Sequence, residues 1–175
     1  KCAHCYLGAG DAAQRELSTQ EALSVVDQAA QAGTELLILS GGEPLMRRDL
    51  FQIVSHATSR GVTVVLGTNG ILLGEHTVQR LQRAGVQGVG ISVDSLDTSK
   101  HDAFRGVPRA WERAVTGLRR CVAASLPVLV QTTAMPWNYE EIPDLVKFAS
   151  DEGAAGFVLY FLVCTGRGEA LTDIT

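Results

Sequence analysis

An α/β fold with a parallel sheet is predicted by three features of this sequence. Short β-branched runs alternate with amphipathic helical patterns along the whole chain. Five such runs occur, each separated from the next by helix, which implies parallel pairing through right-handed crossovers. Each run also ends in a small polar and glycine cluster: SGGEP (40–44), GTNG (67–70), SVDS (92–95), QTT (131–133) and CTGRG (164–168). The alternation allows an open, doubly wound sheet or one curled toward a barrel. No G-x-G-x-x-G follows any run, which counts against a dinucleotide-binding sheet.

The elements follow in order. Ser18 and Glu21 form a capping box for a helix with Ala22, Leu23, Val26, Ala29 and Ala30 on one face and a stop at Gly33. ELLILS (35–40) is nearly all apolar, as expected of a strand buried on both sides. Asp49 is a plausible N-cap for a second helix with Leu50, Ile53, Val54 and Ala57 inward and Gly61 as its stop. VTVVLG (62–67) is a strand, 75–84 a helix ended by Gly85, and GVGISV (88–93) a strand. A two-part helical stretch covers 98–104 and 109–124, the second part with Trp111, Val115, Leu118 and Val122 inward. LPVLVQTT (126–133) is the next strand. Asn138 and Glu141 box in a helix with Ile142, Leu145, Val146 and Ala149 inward and Gly153 after it, and GFVLYFLV (156–163) is the last strand.

The 175 residues suit one domain with one sizeable core. A net charge of −4 argues against nucleic acid as the main partner, because phosphate binding needs a basic face. Arg47-Arg48 and Arg119-Arg120 read as solvated helix faces. No apolar run reaches the ~18 residues of a membrane span, so no membrane partner is expected. Four cysteines make no disulfide scaffold, and the C-x-x-C of Cys2 and Cys5 reads as metal or redox chemistry in a reducing compartment. By itself that pair could be a zinc half-site, a redox dithiol or part of a larger cluster. Zinc would need two further ligands, and no second C-x-x-C or close His pair exists. Cys121 lies on the inward face of a helix as core packing, and His101 reads as a surface or capping residue.

In a parallel α/β barrel, loops at the C-terminal rim of the strands converge on the active site. All five polar clusters, and the leading cysteines if a strand precedes them, would share that rim. There the pattern resembles the radical S-adenosylmethionine (SAM) enzymes, whose motif is C-x-x-x-C-x-aromatic-C. CAHC matches the last two cysteines, with His4 in the aromatic slot; the first would lie three residues before Lys1. The family's Gly-Gly-Glu-Pro stands complete as Gly41, Gly42, Glu43 and Pro44, followed by TNG and S-x-D on the next two strands. The resemblance spans Lys1 to about Arg167 and implies a partial (β/α)6 TIM-like barrel of parallel strands, its first strand truncated. The whole of 1–175 would be a radical SAM core domain, incomplete at its N-terminus.

The resemblance also implies the site. Cys2 and Cys5 would bind a [4Fe–4S] cluster with a third thiolate, leaving one iron for SAM. One electron then cleaves SAM to a 5′-deoxyadenosyl radical that abstracts hydrogen from the substrate. Gly41, Gly42, Glu43 and Pro44 would receive the SAM ammonium, and Thr68, Asn69 and Ser92 would hydrogen-bond near its amino-acid portion. Asp94 suits a ribose hydroxyl or an ammonium, and Arg105 the SAM carboxylate; the bland reading of Arg105 is pairing with Asp102. Gln131, Thr133 and the backbone near Leu162 are candidates for ribose and adenine contacts. Cys164, at the rim, reads as a structural thiol, a substrate contact, an auxiliary-cluster ligand or a hydrogen-atom donor.

C-x-H-C-Y and YFLVCTGRGE are similar to the branch carrying a C-terminal auxiliary-cluster (SPASM) extension, which would begin after Thr175. Its members modify tetrapyrroles, in haem and haem d1 synthesis, or peptides; the tetrapyrrole group fits best. A flavodoxin- or ferredoxin-type electron donor and a cytoplasmic location are implied. A degenerate barrel that binds a partner without catalysis is the competing expectation.

Overall fold

The computed structural model describes residues 2–10, 16–171 and 173. Helix α1 (Thr19–Gln31) leads into strand β1 (Leu36–Leu39), and α2 (Leu50–Ser59) into β2 (Thr63–Thr68). Then come α3 (Glu75–Ala84), β3 (Val86–Ser92), α4 (Thr98–Arg105), α5 (Ala110–Ala123), β4 (Val128–Ala134), α6 (Ile142–Asp151) and β5 (Gly156–Phe161). The strands are all parallel, in spatial order β1-β2-β3-β4-β5, and curl into a half-barrel. This sequential order, without the reversal of a doubly wound sheet, resolves the open choice in favour of the partial barrel.

Alternation along each strand divides the sheet into two faces. Leu37, Leu39, Val64, Leu66, Val89, Ile91, Val128 and Val130 face the helices and join the core. Truncating one of its fully buried members, such as Leu66 or Leu118, to alanine is a loss of about 2–5 kcal/mol. Across the other face, Gly67, Gly90, Leu129 and Gly156 align in register, as do Ser92, Gln131 and Val158.

The Ser18–Glu21 capping box forms as expected. Left-handed glycines stand within two residues of five helix ends, at Gly33, Gly61, Gly85, Gly106 and Gly153. Other expectations are corrected. β1 is not buried on both sides: Leu36 and Ile38 lie on the sheet face away from the helices and are 51% and 61% exposed. The box of Asn138 and Glu141 does not form, because tertiary partners take both side chains. Asn138 is buried and donates to Asp94 O and Thr133 O, while Glu141 accepts from Ser95 and the Leu96 N–H. Asp49 precedes α2 but spends its carboxylate on Thr19 and Arg47. Val146 faces solvent. His101 is buried rather than superficial. Arg119 and Arg120 are exposed on α5 as expected, where Arg119 pairs with Glu152 and Arg120 donates to Leu73 O, whereas Arg47 lies outside a helix and reaches Leu17 O. No helix among the described residues is long and apolar enough to cross a membrane.

Candidate functional site

The two leading cysteines lie in a tight turn at the end of the sheet where the strands finish. Cys5 N–H donates to Cys2 O, and the Ala9 N–H donates to Cys5 Sγ at 3.3 Å. Both thiols are free and partly exposed. The turn is seated on α4, since Ala3 N–H donates to Phe104 O at 2.9 Å and the His4 ring stacks on Phe104 with centroids 4.3 Å apart. Trp137 meets Phe104 edge-on, and Met135 and Leu162 complete this apolar seat. Burial, aided by the Arg105 charge, lowers the His4 pKa to about 4, so the stacked ring is neutral at pH 7.

The glycine–glutamate segment lies against this turn. Gly41 holds φ = +133°, where L side chains rarely fit. A Cβ on Gly42 would touch Ala9 Cβ at 3.4 Å. Glu43 opens a 3₁₀ turn (Pro44–Met46) by accepting the Leu45 N–H, and Pro44 is its buried first residue. The same carboxylate accepts the Thr68 hydroxyl at 2.7 Å and the Asn69 N–H at 2.9 Å. Glu43 thus ties the end of β1 to the end of β2. Burial pushes its pKa up, although these donors pull the other way. Glu43→Gln should destabilise the fold by about 1–3 kcal/mol, since an amide NH2 would face a buried donor. Urea denaturation checks this, and an unchanged midpoint would contradict the bridging role.

Asp94 and Arg105 form the third part. Asp94 is fully buried; its Oδ2 accepts Arg105 Nε at 2.6 Å and its Oδ1 the Thr133 N–H at 3.1 Å. The Asp94 N–H donates to His101 Nδ1, and burial lowers the His101 pKa to about 4, so that ring is neutral with its proton on Nε2. Arg105 extends Nη1 to within 4.0 Å of Cys2 Sγ. Its partner is therefore Asp94, whereas Asp102 caps the start of α5 through the Arg109 and Trp111 N–H groups.

Of the residues expected in the site, Cys2, Cys5, Gly41, Gly42, Glu43, Pro44, Thr68, Asn69, Asp94, Arg105 and Thr133 belong to this connected set. Asp94, expected to meet a ribose hydroxyl or an ammonium, is fully buried and gives Oδ2 to Arg105 and Oδ1 to the Thr133 N–H. Leu162 is a buried packing residue beside the turn. Ser92 and Gln131 are paired in register on the concave face, where Gln131 donates to Tyr160 Oη and lies over Gly90. Cys121 is buried, its thiol pushed up to about 11, and Cys164 is exposed. Missed in the sequence were His101, Asn138 and Arg167. Only Arg167, between two glycines at the end of the last strand, carried any signal.

The donor set fits an iron–sulfur group. Two soft thiols stand on one turn, one receives an N–H and the other faces a guanidinium, and glycine backbone lies alongside. Among the described residues, no group of three His, Cys, Asp or Glu side chains could hold a metal.

The family model described as the radical SAM superfamily matches residues 1–149. The chain belongs to that superfamily. Members use a [4Fe–4S] cluster and SAM. Among similar proteins is the "AdoMet-dependent heme synthase" of Methanosarcina barkeri, 41% identical over 176 residues. The match covers 99% of this chain and 50% of that protein. The "Pre-heme d1 synthase" of Dinoroseobacter shibae is 37% identical, over 96% of this chain and 42% of its own. The chain thus spans about half the length of these relatives or less. In fold it is similar to Streptococcus suis SuiB bound to S-adenosylmethionine, with a TM-score of 0.82 at 21% identity over all of this chain and 40% of that one.

Proposed function

We propose that this chain is the core of a radical SAM enzyme acting on a tetrapyrrole in haem or haem d1 synthesis. Cys2 and Cys5 are two of three thiolate ligands of the cluster, the third lying upstream at the spacing of the family motif. Together the cluster and SAM supply one-electron, hydrogen-abstracting chemistry. The observation that carries the reading is the approach of Gly42 to the cysteine turn, where an added Cβ would meet Ala9 Cβ at 3.4 Å, with Arg105 beside Cys2. Without it the thiol pair and the glycine motif would be unrelated.

The chain's own residues have distinct tasks. Gly41 and Gly42 offer backbone that a ligand can approach closely, and Glu43 keeps that backbone in register with Thr68 and Asn69. Asp94 holds Arg105 as a fixed cation rather than touching ribose. Ser92, Gln131, Thr133 and the backbone near Leu162 form the remaining wall. The apolar seat of Phe104, Met135, Trp137 and Leu162 keeps water from one side of the cysteine turn. An electron donor of the flavodoxin or ferredoxin type completes the proposal. The tetrapyrrole is preferred to a peptide because relatives at 41% and 37% identity carry haem and haem d1 names.

The test is anaerobic reconstitution, with iron and sulfide, of a chain carrying the complete cysteine motif. With SAM and dithionite it should release 5′-deoxyadenosine, faster with a tetrapyrrole than with a peptide. A fully loaded protein that leaves SAM intact would instead indicate a non-catalytic barrel.

A further inference from the structure

We infer that Arg167 is a positioning residue for the cluster, and that the loop after β5 forms the outer half of the cluster-binding turn. This rests on the assignment of Cys2 and Cys5 as ligands. Arg167 Nε donates to Cys2 O at 2.8 Å and Nη1 to Ala9 O at 2.7 Å. Its backbone N–H donates to Cys5 O at 3.0 Å. One residue thus grips the cysteine turn at both thiol-bearing positions and at Ala9, whose N–H reaches Cys5 Sγ.

The neighbouring residues are shaped to allow this. Gly166 has φ = +59°, and a Cβ there would run into the carbonyls of Cys5 and Tyr6. A Cβ on Gly168 would crowd His4 O at 3.3 Å. The G-R-G sequence therefore lets two backbones approach while an arginine reaches across the gap. These contacts join residues 165 and 158 positions apart. The cysteine turn has few internal bonds of its own, so its shape is set from outside by α4 beneath and by Arg167 above. Because Arg167 acts on the carbonyl of one thiol-bearing residue and on the residue that donates to the other sulfur, its loss should alter the turn that orients both ligands.

The test compares wild type, Arg167→Ala and Arg167→Lys in a chain with the complete cysteine motif, reconstituted anaerobically. Iron release to a chelator should be about ten- to a hundredfold faster in Arg167→Ala. The lysine variant should fall between, since it can replace the charge and one bond but not the fork. The electron paramagnetic resonance spectrum of the reduced cluster should change in Arg167→Ala, while the urea midpoint of the apoprotein stays near wild type. If the alanine variant fails to fold, the lysine variant decides: faster release than wild type supports the assignment. Wild-type release and spectrum in whichever variant folds would overturn it. Failure of the wild type itself to bind iron would overturn the cluster assignment first, and this inference with it.

Discussion

Replacing Cys5 with serine should abolish cluster loading in a chain with the complete cysteine motif, and Cys2→Ser should do the same. Iron and sulfide per chain after anaerobic reconstitution, with the visible absorbance of the cluster, give the measurement. A thiolate is the ligand iron–sulfur clusters require, and a serine hydroxyl stays protonated at neutral pH. With only three protein ligands in the family motif, loss of one leaves two irons without protein ligands. Each cysteine has its own support: Ala9 N–H on Cys5 Sγ and the Arg105 guanidinium near Cys2 Sγ. Serine would inherit these partners and still fail, which separates ligation from folding. Cys121→Ser is the control, since burial makes that thiol a poor ligand and it lies in the core. Normal loading in either leading-cysteine variant would sink the assignment.

Asp94→Asn should cost about 3–5 kcal/mol of folding stability at neutral pH, measured by urea denaturation of the apoprotein. The substitution keeps shape but turns an acceptor into an amide facing the largely buried Arg105 guanidinium. A buried cation without its counter-charge is the costly state. The sign of the pH dependence follows. Desolvation pushes the Asp94 carboxyl up, but the Arg105 charge and hydrogen bond outweigh it and hold the folded value below the ordinary 3.8. A depressed folded pKa contributes stability that is complete above 3.8 and is lost as pH falls toward the folded value. The advantage of wild type over Asp94→Asn should therefore narrow as pH is lowered below 3.8. Equal stability at pH 7, or a gap that persists in acid, would remove Asp94–Arg105 as the electrostatic anchor of the site.

Much of the fold is legible locally. Helix 75–84 with its Gly85 stop and the Ser18–Glu21 box depend on residues a few positions apart, so the chain states them directly. The cysteine spacing and the intact Gly41–Pro44 run are equally local, and they point to the chemistry. Failures cluster where a side chain chose a distant partner. Asn138 and Glu141 have the spacing of a capping box, yet each makes bonds to residues more than forty positions away. Asp94 resembled a ligand because it ends a strand on the rim, but burial and Arg105 claimed it. Leu36 and Ile38 read as core, whereas they lie on the sheet face away from the helices and stay exposed.

Alternating patterns, caps and short motifs determined by themselves that this chain is a parallel α/β protein with a thiol turn and a glycine–glutamate bend. Curvature into a half-barrel, the meeting of that turn with that bend, and the grip of Arg167 on a loop 165 positions away were decided only in three dimensions. Periodicity is written in neighbouring residues, but a buried charge or a backbone carbonyl takes whichever donor the packed structure brings within reach.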